Sequence, residues 1–181
     1  MTGTEPRVRE FSGFRWDAVE HRPYKEAGSA PFRAISRQVL FEEPALACEL
    51  RYFEMDPGGH STLERHEHMH GVMIFRGHGH CLLGTAVRAV KAGDLVTIPA
   101  WTWHQFRASA DEAFGFLCMV NHVRDRPQLP TEAELAALRE VAEVAAFLDA
   151  GMDRKQGQGA LPPGPAPRAE RAFGATGQWT P

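Results

Sequence analysis

The sequence predicts an all-β sandwich or barrel, and three observations carry that prediction. Short segments rich in β-branched, leucine or aromatic side chains recur between residues 36 and 120. Turn residues separate them at roughly 8–12-residue spacing, and no helical periodicity intervenes. The segments are 36–42, 46–55, 71–76, 80–83, 86–90, 94–98, 103–107 and 113–120. The turn signals are Pro44, Pro57-Gly58-Gly59, Gly77, Gly84, Gly93, Pro99 and Asp111.

The flanks read differently. Residues 1–35 are expected to form an arm that packs onto the domain, anchored by Phe11, Phe14 and Trp16, with a loop at Gly28, Ser29 and Pro31. The barrel is expected over 36–125, and 126–151 carries a helix. Thr131 and Glu134, after Pro130, form a capping-box pattern. Leu135, Leu138, Val141, Ala145 and Leu148 then recur at helical spacing, which predicts one helix over 131–149 with Gly151 as its C′ residue. Residues 152–181 hold five Gly and five Pro and too little apolar surface to offset ordering entropy. They are expected to be a tail, with Phe173 and Trp179 as exceptions that are candidates for local docking.

Composition excludes several function classes. Across 181 residues, 20 Lys+Arg against 23 Asp+Glu give a net charge of -3, so no basic surplus points to nucleic acid. No apolar run approaches the roughly 20 residues that span a bilayer, so no membrane association is expected. The charged N-terminus lacks an apolar signal region. Cys48, Cys81 and Cys118 are an odd number at unrelated spacings, which favours a reducing, cytoplasmic location.

One feature of the composition is unusual. Of nine histidines, six (His60, His66, His68, His70, His78 and His80) fall within residues 60–80. Glu64, His66, His68 and His70 alternate, so in an extended strand all four would share one face. Imidazoles and a carboxylate converging in this way suit a first-row transition metal.

Two spaced frames surround this cluster. In the first, Gly58, Glu64, His66, His70 and Gly77 follow one another with intervals of five, one, three and six residues. In the second, Gly93, Pro99, Trp101, His104 and Ala108 follow with intervals of five, one, two and three. Over about residues 36–122 the chain thereby resembles the cupins, whose motifs are G-x5-H-x-H-x3,4-E-x6-G and G-x5-P-x-G-x2-H-x3-N. The spacing matches throughout, but Glu64 stands at a family histidine, His70 at the family glutamate, Trp101 at a glycine and Ala108 at the asparagine.

The resemblance implies a cupin-type antiparallel β-barrel, a double-stranded β-helix or jelly roll, holding one divalent transition metal ion: Fe(II), Mn(II), Ni(II), Cu(II) or Zn(II). The implied ligands are Glu64, His66, His70 and His104, the family's inventory with the carboxylate moved. A rival register uses His66, His68 and His70 together. It is disfavoured because a turn near residues 67–69 should direct His68 outwards. His60 is expected in a loop at the rim, and His78 and His80 in solvent.

With alternate strand residues facing inward, the expected pocket residues are Arg51, Phe53, Met55, Trp101, Gln105, Phe106 and Phe116. So aromatic a lining favours a small apolar or aromatic ligand over a sugar phosphate. The favoured function is a metal-dependent enzyme on a small molecule, either a non-haem dioxygenase, as in the dioxygenases of this superfamily, or a Lewis-acid isomerase or lyase. Glu67 is a candidate base. The alternatives are a non-catalytic module that binds metal and a small ligand, or a purely structural metal. The resemblance also implies a homodimer formed through strands and the 131–149 helix.

Overall fold

The computed structural model describes residues 6–26 and 28–150. The expected tail over 152–181, with Phe173 and Trp179, and the C′ role of Gly151 lie outside the described residues. The arm carries a hairpin of β1 (Phe11–Ser12) and β2 (Arg15–Trp16), then β3 (Arg22–Pro23). Phe11, Phe14 and Trp16 form an aromatic cluster with Tyr52 and Phe75, in which the Trp16 and Tyr52 ring centroids are 5.2 Å apart. The body comprises β4 (Arg33–Glu43), β5 (Cys48–His60), β6 (His70–Arg76), β7 (His78–Leu83), β8 (Ala86–Lys91), β9 (Leu95–Ile98), β10 (His104–Ala108) and β11 (Phe114–Asn121).

These strands pair antiparallel in one nine-stranded sheet, ordered β8-β7-β10-β5-β11-β6-β9, with β4 beside β5 and β3 beside β4. The sheet curls into a half-barrel because β5 changes neighbours along its length. Its residues 48–55 pair with β11, whereas His60 pairs with Arg107 of β10. The corner falls at Pro57-Gly58-Gly59, where the sequence predicts a turn and the structure has a bent but continuous strand. Gly58 takes φ 69° and donates its N–H to the Ser109 carbonyl at 2.8 Å. A Cβ on Gly59 would stand 2.8 Å from the Ala34 carbonyl oxygen, so β4 can cross here only over glycine.

Inside the curl, Ile74, Ile98, Phe106, Phe114 and Phe116 belong to the main apolar core. A second cluster joins Leu63, Leu82 and Val87 of the sheet to Leu138, Val144, Phe147 and Leu148. The single helix expected over 131–149 is instead two, α1 (Glu132–Arg139) and α2 (Ala142–Asp149), with Val141 extended between them at φ -84°, ψ 112°. The physical reason is angular. Leu138 and Phe147 are nine residues apart, about two and a half turns at 3.6 residues per turn, so a continuous helix would put them on opposite faces. The break lets both reach the same cluster. The capping box at Thr131 and Glu134 is present with both reciprocal bonds.

Candidate metal centre

The histidines converge by a different route from strand alternation. Glu64 and Arg65 form isolated bridges to His104 and Gln128, the chain bends at Glu67 and His68, and β6 begins at His70. The Trp101 N–H donates to the His66 carbonyl at 2.7 Å and ties the two frames together. Trp101 itself sits at φ 59°, the left-handed region that the glycine of the family pattern would occupy without strain.

Glu64, His66 and His104 are buried, and their donor atoms form one compact group. His66, His68 and His70 form another, sharing His66. Hydrogen bonds orient the rings. The His66 Nδ1–H donates to the His68 carbonyl at 2.8 Å, and the His104 Nδ1–H to the Thr102 carbonyl at 2.9 Å. A carbonyl can only accept, so in both neutral rings Nδ1 holds the proton and Nε2 offers a lone pair. The His70 Nε2 lies 3.0 Å from the His66 Nε2, while its Nδ1 lies 3.3 Å from the Cys118 sulfur. Two ring nitrogens facing each other at that separation need a shared proton or cation, and the donor chemistry fits a divalent transition ion.

Electrostatics agree. Burial, then the neighbouring His104 and His68, lowers the His66 pKa to about 4. Burial also lowers His104 to about 4, and burial with His104 and His66 nearby takes His70 far below the ordinary histidine range. All three imidazoles are therefore neutral near pH 7, the state that binds metal. The carboxylate of Glu64 contacts the Lys25 ammonium from the arm.

His68 does not turn outward. Its side chain is buried, its ring stacks on His66 with centroids 3.6 Å apart, and its Nδ1 bonds the Asp125 carboxylate at 2.6 Å. Asp125 also accepts from the Glu67 and His68 backbone N–H groups. Against some desolvation, these bonds hold its carboxyl well below the usual range. The bend at 67–68 thus folds back over Asp125 rather than projecting into solvent. The face-to-face stack with His66 and the Asp125 bond fix the His68 ring, so His66, His70, His104 and Glu64 are the residues that would hold an ion.

A cavity of about 200 Å³ opens at the cluster. Arg51, Phe53, Phe106 and Phe116 line it, together with the expected ligand residues Glu64, His66, His70 and His104. Three expected pocket residues lie elsewhere. Met55 is fully buried in the main core, Trp101 is 49% exposed, and the Gln105 amide donates to the Ser61 carbonyl at 2.7 Å. Nor is the lining short of charge. Lys25, Arg37, Arg124 and Asp125 face the cavity, as do Tyr24 and Cys118. Cys118 was findable from sequence, because it shares the inward face of β11 with Phe116 two residues earlier. Lys25, Arg37 and Arg124 had no such signal, coming from the arm, from β4 and from the segment after β11.

The remaining histidines are peripheral to the cavity. His60 ends β5 with its Nδ1 2.9 Å from the Ser61 carbonyl oxygen. His78 pairs with Glu112, and His122 lies 3.2 Å from Glu42. His80, expected in solvent, is buried in β7, on the strand face it shares with Leu82 of the second apolar cluster.

A curled antiparallel half-barrel with a cluster of histidines and a glutamate able to hold a metal ion defines a small β-barrel protein, and comparison with known proteins gives its family. Residues 51–120 match the cupin domain, and the chain belongs to the cupin family. It is 67% identical over 138 residues to the 1-methylthio-D-xylulose 5-phosphate methylsulfurylase of Rhodospirillum rubrum, covering 76% of this chain and 88% of that protein. A crystal structure of a cupin-2 domain protein from the same organism is 63% identical, covers 80% of this chain and 97% of its own, and superposes with a TM-score of 0.72. A cupin 2 conserved barrel domain protein from Rhodopseudomonas palustris is 56% identical over 78% of this chain and 98% of its own, with a TM-score of 0.74.

Proposed function

We propose that this chain is a metal-dependent enzyme acting on a methylthio-substituted ketose phosphate, with Glu64, His66, His70 and His104 holding one divalent transition ion. The observation that carries the reading is the cavity wall. The same small space that gathers the imidazole edges also presents Lys25, Arg37, Arg51, Arg124 and the Cys118 thiol. The activity named for the 67% identical relative supplies the substrate class. A cationic wall suits an anionic sugar ester better than a neutral aromatic ring, which favours Lewis-acid transfer chemistry over the expected dioxygenase.

A bound divalent ion would supply Lewis-acid polarisation of the substrate's ketone. In the transfer, the carbon–sulfur bond breaks with its electron pair kept on carbon as an enolate. The methylthio sulfur bonds to an incoming small-molecule thiolate, giving a mixed disulfide, and the carbon takes a proton. Cys118 is placed to deliver that proton. With an ion held at its Nε2, His70 would keep its proton on Nδ1, 3.3 Å from the Cys118 sulfur, and would leave the thiol hydrogen for the substrate. The buried aromatic rings Phe53, Phe106 and Phe116 keep water from the reacting carbon.

The exposed residues Met73, Leu95 and Met119 share the outer face of β6, β9 and β11, which supports a homodimer through that sheet. Cys48, Cys81 and Cys118 are free, in keeping with a cytoplasmic setting. The deciding experiment incubates protein loaded separately with Mn, Fe, Ni, Cu or Zn with 1-methylthio-D-xylulose 5-phosphate and a small thiol. Proton NMR should show a 1-deoxy methyl signal, and mass spectrometry a methyl disulfide of the thiol. Metal-loaded protein that leaves the methylthio group in place with every ion overturns the reading.

A further inference from the structure

Beside the imidazole cluster, three arginines from three different elements face the same cavity: Arg37 of β4, Arg51 of β5 and Arg124 after β11. Two of them are held in place. The Arg124 Nη1 donates to Glu49 at 2.8 Å and to the Asn121 carbonyl at 2.7 Å. The Arg51 guanidinium lies 5.2 Å from the centre of the Phe53 ring, with its Nε 3.4 Å from the Glu49 carboxylate. The Arg37 side chain has no hydrogen bond or ion pair among the described residues, and its buried Nε, like that of Arg51, has no hydrogen-bond partner. Three guanidiniums thus face two carboxylates, Glu49 and Asp125, a surplus of one positive charge in a partly dry wall. Burial, then the neighbouring Arg51, lowers the Arg37 pKa from its ordinary value, the mark of a cation without a counter-ion.

We infer that Arg37, Arg51 and Arg124 form a binding site for the phosphate of a phosphomonoester, with Arg37 its principal donor. This deepens the reading above and rests on it for the sugar phosphate. A phosphomonoester carries between about one and a half and two negative charges at pH 7, which suits a wall with surplus positive charge. The planar guanidinium fork pairs with phosphate oxygens bidentately, whereas Lys25 is already engaged by Glu64. The site also lies within reach of the metal end. The Arg51 Nη2 is 3.8 Å from the Cys118 sulfur, which is in turn 3.3 Å from the His70 ring. One small molecule can therefore place its phosphate on the arginines and its reacting carbon at Cys118.

The test uses D-xylulose 5-phosphate and D-xylulose, which carry no methylthio group and cannot undergo transfer. Calorimetry on metal-loaded wild type should show the phosphate ester binding at least about tenfold more tightly than the free sugar, as charge-assisted bonds require. Arg37→Gln and Arg124→Gln should each lose that preference by about tenfold or more, with metal content and melting profile near wild type. Arg37→Lys should retain part of it, and the surface variant Arg22→Gln all of it. Equal binding of ester and sugar by wild type, or an undiminished preference in both folded glutamine variants, overturns the inference even if methylthio transfer is observed. Conversely, an arginine-dependent preference in a protein that never cleaves the methylthio substrate leaves this site standing and removes the proposed reaction.

Discussion

His104 reaches the cluster from the second frame, with its Nδ1 proton held by Thr102 and its Nε2 without a hydrogen bond among the described residues, so it is the most separable test of the ligand set. His104→Ala and Glu64→Ala should each fall well below one metal ion per chain in elemental analysis of protein purified without added metal. Wild-type content in both would remove the assignment. Asp125→Asn addresses His68, because loss of a carboxylate behind a ligating imidazole weakens metal binding roughly 10–100-fold. Wild-type affinity is expected, and a loss of that size would put His68 in the coordination shell. Cys118 makes a different prediction. Cys118→Ser should keep its metal and its KM for the methylthio substrate while kcat falls by roughly 10²–10⁴-fold, the usual contribution of a positioned proton donor. A KM effect at unchanged kcat would mark it as a packing residue. Single positions also show where reading the chain misleads. Trp101 occupies a glycine position of the family pattern, yet its bulk lies in solvent and not at the pocket.

Among the elements, β5 and the helices carry the most structural consequence. The bend of β5 at Gly58 and Gly59 turns one sheet into a curl, and β4 and β11, which flank residues 48–55 of β5, bring Arg37 and Cys118 to the cavity. Periodicity located β5 but took its glycines for an end, because Pro-Gly-Gly marks a turn and a strand corner alike. The helices show a related ambiguity. Apolar residues at spacings of three and four fit one long helix, and the break at Val141 follows from where the sheet offers Leu63, Leu82 and Val87 as partners. Phe147 is fully buried in that cluster. Phe147→Ala should cost about 3–5 kcal/mol in denaturant unfolding, with metal content unchanged because α2 contributes nothing to the cavity. A cost below about 1 kcal/mol, the size of a surface change, would mean α2 is not docked as described.

For the molecule as a whole, the histidine cluster couples folding to pH and to metal. His66 and His104 have native pKa values of about 4 against 6.5 in the unfolded chain. Between those values the unfolded chain binds more protons than the native one, so stability rises with pH across that window. Metal-free protein should therefore be most stable above about pH 6.5 and lose melting temperature as pH falls towards 4. Metal loading should raise the melting temperature and extend the stable range downwards, since the ion holds the imidazoles neutral. A metal-free melting temperature that is flat from pH 7 to pH 4 would contradict the buried, neutral cluster. The pattern of residues along the chain was sufficient for the all-β class, the strand positions, the capping box and the spacing of Glu64, His66, His70 and His104, because each depends on local periodicity or on intervals within the two spaced frames. The rest arose from tertiary packing: the inward turn of His68, the broken helix, and the change from an aromatic to a cationic pocket. Lys25, Arg37 and Arg124 lie far apart in sequence, and a charge reveals its role only when folding sets it beside other charges without a counter-ion.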